Sequence, residues 1–218
     1  MLSQTEENYL KALFHLTSET MGKTDAGTNE LAAALNVKPA TANDMLKKLK
    51  EKKFILYEKY GKIALTASGK KQAIEIVRKH RLWETFLYEK LAFSWDEVHE
   101  VAEQLEHIQS TKLIEQLDKY LGHPQHDPHG DIIPNAKGEY KLPLRKTLSQ
   151  IEIGKTCKLT AVKDNSAAFL QYVVKTGLGL SSKIKIINRQ AFDGTLEIEV
   201  NGKKSVVSER FAENIFVV

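Results

Sequence analysis

The sequence predicts an α+β multidomain chain: a winged helix-turn-helix at the N-terminus, a helical middle and a small β-barrel at the C-terminus. Three observations predict it. Three short helical patterns and a hairpin-forming stretch fill the first 70 residues, two long amphipathic patterns follow up to about residue 121, and short β-rich runs punctuated by Asp-Gly and Asn-Gly occupy the end. The boundaries expected are 1–70 for the winged part, 71–143 for the helical part with its linker, and 144–218 for the barrel.

Tyr9, Leu10, Leu13, Phe14 and Leu16 recur at helical spacing within residues 5–18, and TMGKTDAGT breaks that helix. Helices over Asn29–Leu35 and Pro39–Glu51 follow, and FILYEKYGKIALT reads as two strands around Tyr60-Gly61. Thr66 can cap a helix through SGKKQAIEIVRKHRLWETFLYEKL, and Ser94 a second one from about Trp95 to Leu121. Between Gly122 and Pro143 lie four of the five prolines, which marks a linker. Beyond it CKLTAV, KIKIIN, TLEIEV and KSVVS read as strands, with Asp193-Gly194 and Asn201-Gly202 as turns. DNSAAFLQYVVKTG reads as an inserted helix ended by Gly177.

The bulk properties narrow the function classes. A net charge of +4 permits a polyanionic partner without demanding one, so the placement of the lysines matters more than their number. The single cysteine, Cys157, excludes an intrachain disulfide framework and suits a reducing compartment. The polar, acidic N-terminus lacks the sections of a signal peptide and no apolar run reaches membrane-spanning length, so a cytoplasmic location is expected.

In the second helix of the turn motif Ala42, Met45, Leu46 and Leu49 share one face, leaving Thr41, Asn43, Asp44, Lys47 and Lys48 on the other. Pro39 opens this helix, where its missing N–H costs nothing. Short polar side chains near its start can reach base edges in a major groove, and Lys38, Lys47 and Lys48 can neutralise phosphates. Lys59 and Lys62 flank the hairpin tip, where a basic wing can contact a phosphate or the minor groove. A bare helical hairpin with a solvated lysine face is the bland reading, and the wing makes double-stranded DNA the better one.

Six of the seven histidines lie between His80 and His129. His80 and Glu84 are one turn apart on one helix, and His99, Glu103, Glu106 and His107 share a face of the next. Imidazole and carboxylate without thiolate is ligand chemistry for Mn(II), Fe(II) or Zn(II). Any one of these residues is more simply a solvated charge or a satisfied histidine. Together they sit among Leu82, Trp83, Phe86, Val98, Val101 and Leu105, where unpaired carboxylates are costly and a cation would neutralise them. The aromatic residues Trp83, Phe86 and Trp95, with Leu87, are the expected dimer surface.

EENYLKALFHL, VKPATANDMLKKL, LTASGKK, RKHRLWETFL, WDEVHEVAEQLEH and DPHGDIIP together resemble the diphtheria-toxin-repressor family of iron- and manganese-dependent regulators, in its long form with a C-terminal SH3-like, FeoA-like domain. The resemblance implies a homodimeric repressor of metal-homeostasis genes on a pseudo-palindromic operator. It implies a regulatory metal site on Glu103, Glu106 and His107 with Asn8 from the first helix and Asp127 and His129 from the PHG segment. An ancillary site is implied on His80, Glu84 and His99, with Asp164 as a further ligand from the SH3-like domain. Asn8 departs from the Asp or Met usual there, and Asp127 stands where relatives can carry Cys. Carboxylates at Glu103 and Asp127 lean the site towards Mn(II) over Fe(II), with Zn(II) or Co(II) able to substitute in vitro. Two rivals stand beside this reading: a metal-independent or structurally metallated DNA-binding regulator, and, more distantly, a metal-dependent hydrolase. No HExxH motif, Ser/His/Asp set or phosphate loop supports an enzyme, and no catalytic residue is assigned.

Overall fold

The computed structural model describes the whole chain except residues 1, 20–22, 58–60 and 142–143. The described chain divides into two compact units. The first comprises Met1–His80, Glu103–Gln116 and Pro134–Tyr140; the second comprises Arg81–Ala102, Leu117–Ile133 and Lys141–Val218.

The first unit opens with α1 (Gln4–Thr17), started by a capping box in which the Ser3 side chain accepts from the Glu6 N–H and the Glu6 carboxylate accepts from the Ser3 N–H. Its Leu10, Leu13 and Phe14 are fully buried and form the centre of the unit's core. The strand β1 (Ala26–Gly27) leads into α2 (Thr28–Ala34) and, past Asn36 in a left-handed conformation, into α3 (Pro39–Glu51). Ala42, Leu46 and Leu49 of α3 are wholly buried, as the apolar stripe requires. The strands β2 (Ile55–Tyr57) and β3 (Lys62–Leu65) form the wing, and β1 adds to β3 in a three-stranded sheet ordered β1-β3-β2. The sequence signal missed β1 because two residues cannot display alternation. The Thr66 hydroxyl accepts the Gly69 N–H at 3.1 Å and starts α4 (Ala67–Leu91), whose Ala73, Ile74 and Val77 join the same core.

The helix expected over Trp95–Leu121 is two helices, α5 (Val98–Leu105) and α6 (Thr111–Tyr120). The cause is local. The Ile108 N–H turns back to the Leu105 carbonyl, and the Ser110 hydroxyl accepts the Leu113 N–H at 3.3 Å, so a second N-cap competes with helix continuation.

In the second unit β4 (Lys146–Thr147), a 3₁₀ turn (Leu148–Gln150), β5 (Thr156–Val162), α7 (Ala167–Lys175), β6 (Lys183–Arg189), β7 (Leu196–Val200), β8 (Lys203–Val207), α8 (Glu209–Glu213) and β9 (Ile215–Val217) form a six-stranded sheet ordered β4-β9-β5-β6-β7-β8. Register shifts in β5 and β6 bend the sheet around a core of Leu159, Leu170, Ile184, Ile198 and Ile215. Asn201 and Gly202 both have positive φ, as a two-residue hairpin turn between β7 and β8 demands. The two-residue β4, the three-residue β9 and the five-residue α8 were not expected from the sequence. Trp95 belongs to this core, and Trp83 and Leu87 are also buried within the single chain, which corrects their expected place on a dimer surface. Trp95 went astray because an apolar aromatic after a helix break reads alike whether it fills its own core or a partner's. No helix among the described residues is long and apolar enough to cross a membrane.

Candidate metal centre and nucleic-acid interface

The α3 surface is built as its pattern requires. Lys38, Pro39, Thr41, Asp44, Lys47 and Lys48 are exposed, and Lys47 pairs with Asp44 at 3.0 Å. Asn43 is half-buried, and its carbonyl oxygen accepts the Tyr57 hydroxyl, so that side chain braces helix to wing instead of pointing free. Lys62 is exposed on β3 and meets Asp25 at 3.2 Å. Lys59 lies outside the described residues.

The expected ligands fall into two groups. In the first unit Glu106 is fully buried on the loop after α5, with Oε2 at 2.6 Å from His80 Nδ1 and 2.8 Å from Lys11 Nζ. Lys11 also meets Glu103 Oε1 at 2.5 Å. Burial pushes the Glu106 carboxyl up, but His80 and Lys11 overcome this and hold it below the usual carboxylate range. His107 Nδ1 lies 2.5 Å from Glu7 Oε2, and the other Glu7 oxygen accepts from Gln109. Asn8 Oδ1 is buried without a hydrogen-bond partner. Sequence reasoning missed Lys11 and Glu7; the available signal was a lysine and a glutamate beside the apolar residues Tyr9, Leu10, Leu13 and Phe14 of α1.

In the second unit Glu84, Asp127 and His129, all buried, each bring a ligand atom within 4.8 Å of the others. The DPHG segment is ordered by its own backbone. Asp127 Oδ1 accepts the N–H groups of His129 and Asp131 at 2.8 and 2.9 Å, and Gly130 turns the chain at φ +85°. The turn is pinned to the sheet by the Val162 N–H donating to the His129 carbonyl at 3.1 Å, and Arg145 donates to the Gly130 carbonyl at 2.6 Å. Trp95 stacks on the His129 ring at 5.7 Å and donates its Nε1–H to the Pro128 carbonyl. His129 Nε2 lies 2.9 Å from the Trp95 carbonyl, which can only accept, so Nε2 carries the proton and Nδ1 faces Glu84 Oε1 at 3.6 Å without a hydrogen bond. His99 Nδ1 lies 3.1 Å from the same Glu84 oxygen. Asp127 is pushed up to about 8 by burial and by Glu84, and His129 up to about 9 because Glu84 and Asp127 outweigh the opposing effect of burial. Asp127 and His129 were expected with Glu103, Glu106 and His107, and the structure gathers them around Glu84. Helical spacing could not show this, because a proline-rich segment has no period. Asp164 Oδ1 accepts the Ser166 N–H at 2.9 Å, and Asp164 is not brought together with the Glu84, Asp127 and His129 group among the described residues.

Residues 1–63 match the iron dependent repressor N-terminal DNA binding domain, residues 66–135 the iron dependent repressor metal binding and dimerisation domain, and residues 146–218 the FeoA domain. A solved manganese-dependent transcriptional repressor in complex with manganese superposes with a TM-score of 0.88 at 33% identity, covering 98% of this chain and 99% of that one. The chain belongs to the iron-dependent repressor family. Among curated relatives, an HTH-type transcriptional regulator of Methanocaldococcus jannaschii is 34% identical over 120 residues, 55% of this chain and 94% of that protein. A probable metal transport system membrane protein of Chlamydia pneumoniae is 47% identical over 75 residues, which are 34% of this chain and only 17% of that protein. Members of the iron-dependent repressor family are transcriptional repressors rather than enzymes.

A metal-binding domain implies a divalent cation, and the two ligand groups of this iron-dependent repressor family member differ in fit. The Glu84 group fits: its carboxylates are buried, Asp127 Oδ2 stands 3.6 Å from Arg81 Nε, and His129 Nδ1, without a hydrogen-bond partner, is aimed at Glu84 while Nε2 is anchored to a backbone carbonyl, the usual way of orienting a ligating histidine. The centre at Glu106 does not fit in the same way, because an ammonium group already sits on both of its carboxylates.

Proposed function

We propose that this protein is a manganese-responsive transcriptional repressor that binds double-stranded DNA as a homodimer in the cytoplasm and controls metal-homeostasis genes through a pseudo-palindromic operator. Residues 1–70 serve as the DNA-binding part, 71–143 as the dimerisation and metal-binding part and 144–218 as the SH3-like part. The observation that carries the reading is the buried donor set of Glu84, Asp127 and His129 in a chain that also displays Thr41, Lys47 and Lys48 on a free helix face. Two carboxylates and one imidazole form a hard, oxygen-rich set, which favours Mn(II), with Fe(II) as the alternative and Zn(II) or Co(II) as substitutes in vitro.

When bound, the cation supplies positive charge that neutralises the buried carboxylates and takes the place of the proton on His129. The chain's own residues do the rest. Asp127 shapes the turn through its two accepted N–H groups, Trp95 fixes the ring of His129 from both its face and its Nε2, and Glu84 ties α4 to that turn. Metal acts on DNA by favouring the DNA-competent conformer, so the two affinities are coupled in both directions. Two α3 helices of the dimer then meet successive major grooves.

The test is fluorescence anisotropy on duplexes selected from a random pool by the protein in Mn(II), titrated with Mn(II), Fe(II) and chelator, for wild type and His129→Ala. Metal is expected to raise wild-type DNA affinity by about 5–150-fold, the usual range of allosteric coupling, and to do little for the variant. Metal-independent DNA affinity, the same in both proteins, would sink the reading in favour of a metal-independent regulator.

A further inference from the structure

We propose that Lys11 is a built-in cation: its ammonium holds the carboxylates of Glu103 and Glu106 where the family's regulatory ion is expected, so that this position of the fold takes no metal. The inference rests on the proposed function only for its consequence, that metal response falls to the group around Glu84.

Lys11 is 7% exposed on α1, and a buried ammonium is tolerated only when its charge is answered. It is answered twice, by Glu103 Oε1 at 2.5 Å and Glu106 Oε2 at 2.8 Å. The second of these oxygens also meets His80 Nδ1 at 2.6 Å. A divalent ion ligated by the same oxygens would stand within a few ångströms of the ammonium, in a setting where water screens little. Lysine and metal therefore exclude one another, and the lysine has the advantage of covalent attachment: it needs no supply from solution and cannot be chelated away. The charge it provides is permanent, so the carboxylates are gathered at every metal concentration.

The remaining donors show what the ammonium replaces. Asn8, one turn before Lys11 on α1, has a buried Oδ1 without a hydrogen-bond partner, and Glu106 Oε1 is likewise buried without one, with His107 Nε2 3.9 Å away. Taking the ammonium away leaves an oxygen-rich acceptor set suited to a hard cation.

The experiment is Mn(II) equilibrium dialysis of the full chain as wild type, Glu106→Gln, Lys11→Met and the double variant, each checked for folding by circular dichroism. Glu106→Gln is expected to bind as many Mn(II) ions as wild type. Lys11→Met is expected to gain one ion per chain, and the double variant to lose that gain. Loss of an ion in Glu106→Gln, or no gain in a folded Lys11→Met, overturns the proposal; if Lys11→Met does not fold, the Glu106→Gln comparison decides by itself. A wild type that binds no Mn(II) sinks the metal reading of the Glu84 group, yet the gain in Lys11→Met is still read.

Discussion

Gly130 stands where only a residue without a side chain fits. Its φ is +85°, and a Cβ built on it would lie 2.0 Å from the Thr160 carbonyl oxygen and 2.7 Å from Ala161 Cα, both backbone atoms that cannot swing aside. Gly130→Ala is therefore expected to cost the left-handed penalty of about 1–2 kcal/mol plus the displacement of the turn from β5, about 3 kcal/mol or more in all. Because the same turn aims His129 at Glu84, Mn(II) affinity should fall with stability. Urea unfolding and dialysis check both, and wild-type values in each would show that the turn is not braced as described. The letters Asp127, Pro128, His129 and Gly130 stood out in the sequence as a candidate ligand segment, but Glu84 as the neighbour of His129 did not. Helical spacing assigned Glu84 to His80 and His99, and only the folded turn shows Glu84 facing His129 Nδ1. Lys11 escaped for a different reason: a search for ligands selects histidines and carboxylates and passes over the cation that satisfies them.

At the scale of elements, α3 is the clearest case of a sequence dictating its structure. Pro39 at the first turn and the Ala42, Leu46 and Leu49 stripe set its start and buried face, and its bounds, Pro39–Glu51, are those the pattern predicts. The split between α5 and α6 was not legible, because Ser110 reads as an ordinary polar residue of a long amphipathic pattern until its hydroxyl is seen accepting the Leu113 N–H. For DNA binding the exposed face makes two separable predictions. Lys48→Ala removes an exposed lysine proposed to neutralise a phosphate, so it should weaken binding to all duplexes alike and reduce the slope of log affinity against log salt by about 1. Thr41→Ala removes a side chain placed to reach a base edge, so it should alter which duplexes are preferred and leave that slope unchanged. Salt titrations on matched and scrambled duplexes distinguish the two, and a sequence-dependent loss in Lys48→Ala would assign that lysine a different role.

The whole molecule has two cores, one of α1–α4 with the wing and one of the C-terminal sheet with Trp95, so a ligand held entirely by the second unit should report there first. Both tryptophans, Trp83 and Trp95, belong to that second unit, which makes indole fluorescence a local probe of it. Trp95 is the sensitive one: it stacks on His129 with an interplanar angle of 22°, and its carbonyl accepts from that ring. Mn(II) ligated by His129 Nδ1 would be a paramagnetic ion in near contact with the indole, so titration should quench emission in wild type and in Trp83→Phe, but far less in Trp95→Phe. The fluorescence-monitored melting temperature should rise by several degrees at saturating Mn(II), since an ion at a hundred times its Kd adds about 2.7 kcal/mol to the state that binds it. His129→Ala should abolish the quenching and the rise together. Quenching of equal depth in Trp95→Phe would place the ion away from His129, and with it the metal-responsive centre of the molecule.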